Sequence, residues 1–62
     1  MEQLRERFLK IYANIPLSLR DDIILVLEKK GPISWNVAYI EIKEKSGYAQ
    51  AILQGLEELK LI

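Results

Sequence analysis

Neither cysteine nor histidine occurs anywhere in this 62-residue chain. A domain of that size buries only about 60% of the surface its unfolded chain exposes, and domains near this limit often need a disulfide, a structural metal or a second copy. Here no disulfide and no thiolate or imidazole metal site can form, so apolar packing must hold the fold, alone or with another chain. Half of the residues are hydrophobic, enough for a globular chain rather than a disordered one. The same absences narrow the chemistry. Threonine is missing too, which confines the hydroxyls to Ser18, Ser34, Ser46, Tyr12, Tyr39 and Tyr48. Without the commonest general base and the most reactive side-chain nucleophile, enzyme action is not expected, and no cofactor or metal is implied.

Nine Lys+Arg balance nine Asp+Glu, and the signs interleave rather than forming a charged tail. A neutral chain lacks the basic excess that gives non-specific affinity for nucleic acid through counterion release. The opening MEQLRERFLK is charged from its second residue, and the longest apolar run, Ile23 to Leu27, is far too short to cross a bilayer. A soluble cytoplasmic protein without membrane association is expected, as one domain over residues 1–62.

Periodicity divides the chain into four segments. Leu4, Phe8, Ile11 and Ile15 recur at helical spacing, with Glu2, Arg5, Glu6 and Lys10 on other faces, so an amphipathic helix should run to about Asn14, where Pro16 limits it. In the second segment, SLRDDIILVLEKKGP, Ser18 can cap a helix, Asp21 and Asp22 suit its first turn, Lys29 and Lys30 its last, and Gly31 with Pro32 its stop. Five consecutive apolar residues, Ile23 to Leu27, also suit a strand, which would make a central hairpin turning at Lys29 to Pro32. The third segment is equally two-sided. Ala38, Ile40 and Ile42 alternate with Tyr39, Glu41 and Lys43 as in a strand, whereas Trp35, Ala38, Tyr39 and Ile42 share a helical face with Ser34 as cap and Gly47 as terminator. In the fourth, Ile52, Leu56 and Leu59 form a helical stripe after Ser46. Agreement of the capping signals favours an all-α fold, an N-terminal helix plus a helix-turn-helix-like three-helix core; the alternative is α+β with the central β-hairpin.

The residues EKKGPIS (Glu28 to Ser34) and LEELKLI (Leu56 to Ile62) make the second to fourth segments resemble the three-helix core of helix-turn-helix and winged-helix regulators. In those proteins a first helix ends at Gly, a short extended stretch follows, and two helices complete the unit. The resemblance implies DNA binding through the last helix. Winged-helix regulators continue into a β-hairpin wing, for which no segment follows Ile62 in this sequence. The outward positions of the would-be recognition helix are Gln50, Ala51, Gln54, Glu57 and Glu58. Glutamine can read an adenine edge, but phosphate contacts need Arg or Lys, and two glutamates oppose the approach.

Two classes of function follow. The leading expectation is a non-catalytic interaction or regulatory module that self-associates, as a homodimer or with a protein partner. Val37 and Ile40 point away from the Trp35 face, and Gly55 costs a helix about 1 kcal/mol unless something approaches it closely, so these three are the candidate interface. The second is a small DNA-binding transcriptional regulator, for which Arg5, Arg7, Lys29, Lys30, Gln50 and Gln54 are the candidate contacts. The adjacent carboxylates Asp21-Asp22 and Glu57-Glu58 suit a helix dipole and a solvated face better than a cation site. The aromatic residues, Trp35 foremost, suit the core better than a base-stacking platform.

Overall fold

The structure, a computed structural model, describes residues 2–62. Helix α1 spans Glu2–Ala13, a single 3-10 turn covers Leu17–Leu19, strands β1 (Ile23–Leu27) and β2 (Gly31–Ser34) form an antiparallel hairpin, and helices α2 (Trp35–Lys43) and α3 (Ala49–Glu58) close the chain. The protein is therefore α+β, which corrects the all-α expectation; the second segment is the hairpin, not a helix.

The reason lies in what each conformation would bury. Coiled as a helix, Ile23 to Leu27 would spread apolar side chains around the whole circumference. As a strand the run points Leu25 and Leu27 toward the core, with Leu25 opposite the fully buried Ile33 and Leu27 opposite Gly31. Gly31 was a fair punctuation mark, but it ends a turn instead of a helix. It adopts φ +89° directly after the Glu28–Lys30 loop, a left-handed conformation that glycine takes without steric cost. Ser18 sits in the 3-10 turn and caps no longer helix. An irregularity between Ile23 and Leu25 inserts Ile24 as an extra residue, which shifts the alternation and leaves both Ile23 and Val26 exposed.

The third segment takes its helical reading. Ser34 accepts a hydrogen bond on Oγ from the Val37 N–H at 3.1 Å, so β2 passes into α2 without a linker. Gly47 does not terminate that helix. Lys45, at φ 54°, does so, with its N–H bonded to the Ile42 carbonyl and the Ser46 N–H to the Glu41 carbonyl. The end of α3 repeats the pattern with Lys60 at φ 60°, its N–H on Glu57 and the Leu61 N–H on Leu56. Both are Schellman closures with lysine where glycine is usual.

The core joins α1, β2 and the two later helices: Phe8 of α1, Ile33 of β2, Ala38 and Ile42 of α2, Ile52, Leu53 and Leu56 of α3, and Ile62, with Ile24, Leu25 and Leu27 of β1 packed against it. Phe8, not Trp35, holds the centre; Trp35 is half-buried and stacks on it with ring centroids 5.9 Å apart. The hairpin meets α3 where Leu25 lies over Gly55, whose missing Cβ would stand 2.9 Å from Leu25 Cδ1.

That contact sets an expectation for substitution. Gly55→Ala should change stability little, because about 1 kcal/mol of helix propensity is offset by displacement of a flexible leucine methyl. Gly55→Val should cost roughly 1–3 kcal/mol through overpacking. Denaturant midpoints for the two variants check this, and equal midpoints would mean that the hairpin does not rest on α3 here.

Candidate functional site

The proposed interface residues do not converge on one patch. Val37 is half-buried and packs against the core, Gly55 is covered by Leu25 of the same chain, and Ile40 alone is well exposed, at 50%. The close approach anticipated at Gly55 is made, but by a side chain of the hairpin.

The largest exposed apolar side chains lie mainly elsewhere. Leu17 (77%), Leu19 (47%), Ile23 (56%) and Val26 (68%) follow one another along the 3-10 turn and β1. On β1 the bulged alternation turns Ile23 and Val26 outward, and Val26 stands opposite the exposed Pro32 of β2. A half-solvated antiparallel sheet normally alternates apolar inside with polar outside. This hairpin is apolar on both faces. The signal was visible as an uninterrupted IILVL run, which as a strand must expose alternate members.

The candidate nucleic-acid contacts occupy three neighbourhoods. Arg7 reaches Glu57 at 3.8 Å on the surface. Arg5 lines a cavity of about 230 Å³ with Glu2, Lys45, Ser46 and Gln50 over a floor that includes Ile42 and Leu53. Lys29 stands beside Tyr48 and Ala51. Gln50 and Gln54 are on the outward face of α3 with Ala51, Glu57 and Glu58, all exposed, as the periodicity implied.

Lys30 is committed to a structural contact. Its Nζ lies 3.3 Å from Glu41 of α2 and 5.0 Å from the centre of the Tyr48 ring. The Ser46 hydroxyl also donates to the Glu41 carboxylate and holds it below the usual carboxylate range; burial opposes this, and Lys30 adds to the lowering. The same Ser46 oxygen accepts from the Tyr48 N–H at 3.2 Å. One carboxylate thus ties the hairpin loop to the turn between α2 and α3.

The aromatic residues are engaged with one another and with cations. Tyr12 and Tyr39 stack at 4.4 Å and 8° between planes, Arg20 lies over Tyr12 at 4.5 Å, and Lys43 over Tyr39 at 5.7 Å. Tyr12 also donates to Asn36 Oδ1 at 2.7 Å, and Asn36 donates to Asp21 at 2.8 Å. This ladder fixes α1 to α2 and occupies faces that a base would need. Among the described residues no cluster of three acidic side chains could hold a metal ion, and no helix is long and apolar enough to cross a membrane. No protein-family model, curated protein or solved structure matches this chain.

The Glu41 tie yields a pH signature. Its carboxyl is lowered from 4.5 in the fold, so its stabilisation is complete above that value and is lost as pH falls through the lower folded value. Glu41→Gln should cost about 0.5–1 kcal/mol at pH 7, with the difference from the parent shrinking toward pH 3. A difference that stays constant between those pH values would show that Glu41 titrates normally.

Proposed function

We propose that this protein is a non-catalytic interaction module that self-associates through its hairpin. The observation that carries the reading is the run of exposed apolar side chains Leu17, Leu19, Ile23 and Val26. The side-chain inventory supports the non-catalytic part, since histidine and cysteine are absent. Complete burial of each such residue is worth about 1.5–3 kcal/mol. Because all four are already partly covered, two copies together gain on the order of 10 kcal/mol against an association cost of about 4–15 kcal/mol. At the low end of that cost about 6 kcal/mol remain, a weak dimer with a dissociation constant of roughly tens of micromolar.

Sedimentation should show a mass rising toward the dimer across the micromolar range, with a melting temperature that rises with concentration. Val26→Lys should leave a folded monomer, because Val26 faces solvent. A parent chain that stays monomeric at high micromolar concentration, with a concentration-independent melt, would remove the proposal.

One observation favours a second reading, a small DNA-binding regulator. Arg5 and Lys45 lie with Gln50, and with Glu2, on one side of the start of α3, and Lys29 lies by Ala51 and Glu28 on another, so three cations stand near its N-terminal turn without forming one patch. Against this, Glu57 and Glu58 lie exposed farther along the same helix. Duplex DNA is expected to bind no more tightly than the 10⁻⁴ to 10⁻⁶ M non-specific range, roughly, at physiological salt. Sequence-specific nanomolar binding with a steep salt dependence would put this reading first.

A further inference from the structure

Resting on the self-association reading, we infer that two copies join by antiparallel pairing of their β1 strands, giving a continuous four-stranded sheet in the order β2-β1-β1-β2. The sheet within one chain has only two strands, so β1 has a neighbour on one side alone. No backbone hydrogen bond outside that ladder involves Ile23–Leu27. The other edge of β1 therefore carries N–H and C=O groups without a backbone partner, a template for another strand.

Such edges are commonly blunted by lysine or proline, and β1 has neither; its only irregularity is the bulge at Ile24. Strand β2, in contrast, includes Pro32, which has no N–H to donate. Of the two edges, β1 is the one fitted to accept a strand.

Charge selects a second copy, and selects the antiparallel direction. Asp21 and Asp22 precede the strand, and Lys29 and Lys30 follow it after Glu28. Parallel pairing would set acid beside acid and base beside base. Antiparallel pairing sets the acidic start of each copy beside the basic end of the other, a self-complementary arrangement that closes with two-fold symmetry. A register with Val26 on the two-fold axis brings the acidic start of each strand toward Lys29 of the other copy, Lys30 being held by Glu41 of its own chain, and sets the two exposed Val26 side chains against each other on the outer face. Cross-strand pairs of β-branched residues are a principal source of sheet stabilisation. The zero net charge of the chain adds no long-range repulsion to this contact.

Because the chain lacks cysteine, a single introduced thiol reports the geometry directly. Val26→Cys should form a disulfide-linked dimer under mild oxidation at least about tenfold faster than Ile40→Cys, a thiol on α2 at a position 50% exposed against 68% for Val26, since only the former is held against its own copy. On the unsubstituted chain, amide exchange across Ile23–Leu27 should slow as concentration rises through the dimerisation range. If sedimentation shows a dimer but Val26→Cys links no faster than Ile40→Cys and exchange in β1 does not depend on concentration, edge pairing is wrong while self-association stands. If the chain remains a monomer throughout, both fail.

Discussion

The contact between Leu25 and Gly55 is the point on which the arrangement of this small fold turns. A two-stranded hairpin is marginal by itself in water and needs a surface to lie on. Helix α3 supplies that surface where residue 55 is small, so the β1 leucine lies closely over it, 2.9 Å from where a Cβ would stand. With the hairpin seated there, Ile33 reaches the centre of the molecule, and β2 passes into α2 through Ser34. The inner face of the hairpin is thereby fixed, and its outer face with it. Each outward apolar residue of β1 is a consequence of each inward one.

Much of the helical framework was legible in the sequence. The α1 stripe, the limit set by Pro16, the Ser34 cap and the outward face of α3 all follow from spacing and cap chemistry. The hairpin was legible only as an alternative. Asp-Asp before an apolar run and Lys-Lys-Gly-Pro after it satisfy the rules for a helix's two ends, and the same residues satisfy a strand flanked by turns. What decides between them is the partner, Ile33 across the ladder and Gly55 beneath it, and local rules do not contain partners. Helix ends were misplaced for a related reason. Both closures use lysine in the left-handed region, where a residue-type rule looks for glycine.

The candidate site was less legible than the fold. Val37 and Ile40 are singled out by pointing away from the Trp35 face, and Gly55 by its cost inside a helix; neither criterion registers a strand at residues 23–27, where Ile23 and Val26 stand exposed. The basic residues dispersed for a different reason. Arg7 and Lys30 each found a carboxylate partner, and no spacing in the sequence links Lys30 to Glu41. The sequence does disclose the inventory itself, including the absence of histidine and cysteine.

The Glu41 tie also bears on how the molecule opens. Protein structures unfold locally in cooperative units, and a hairpin tip ordinarily frays by itself. Here Lys30, Glu41, Ser46 and Tyr48 bind the tip to the inter-helix turn, so the two regions detach together. Protonating the shared carboxylate, which takes a pH below 4.5, removes one of the two contacts that join them and leaves Lys30 over Tyr48 as the other. What lifts away when they open is the hairpin's inner face, Leu25 and Leu27, in a strand whose outer face is already apolar. Only strongly acidic solutions, below the ordinary carboxyl value of 4.5 that this group falls short of in the fold, accordingly bring both apolar faces of one strand within reach of another chain, the arrangement from which strand-to-strand aggregation starts.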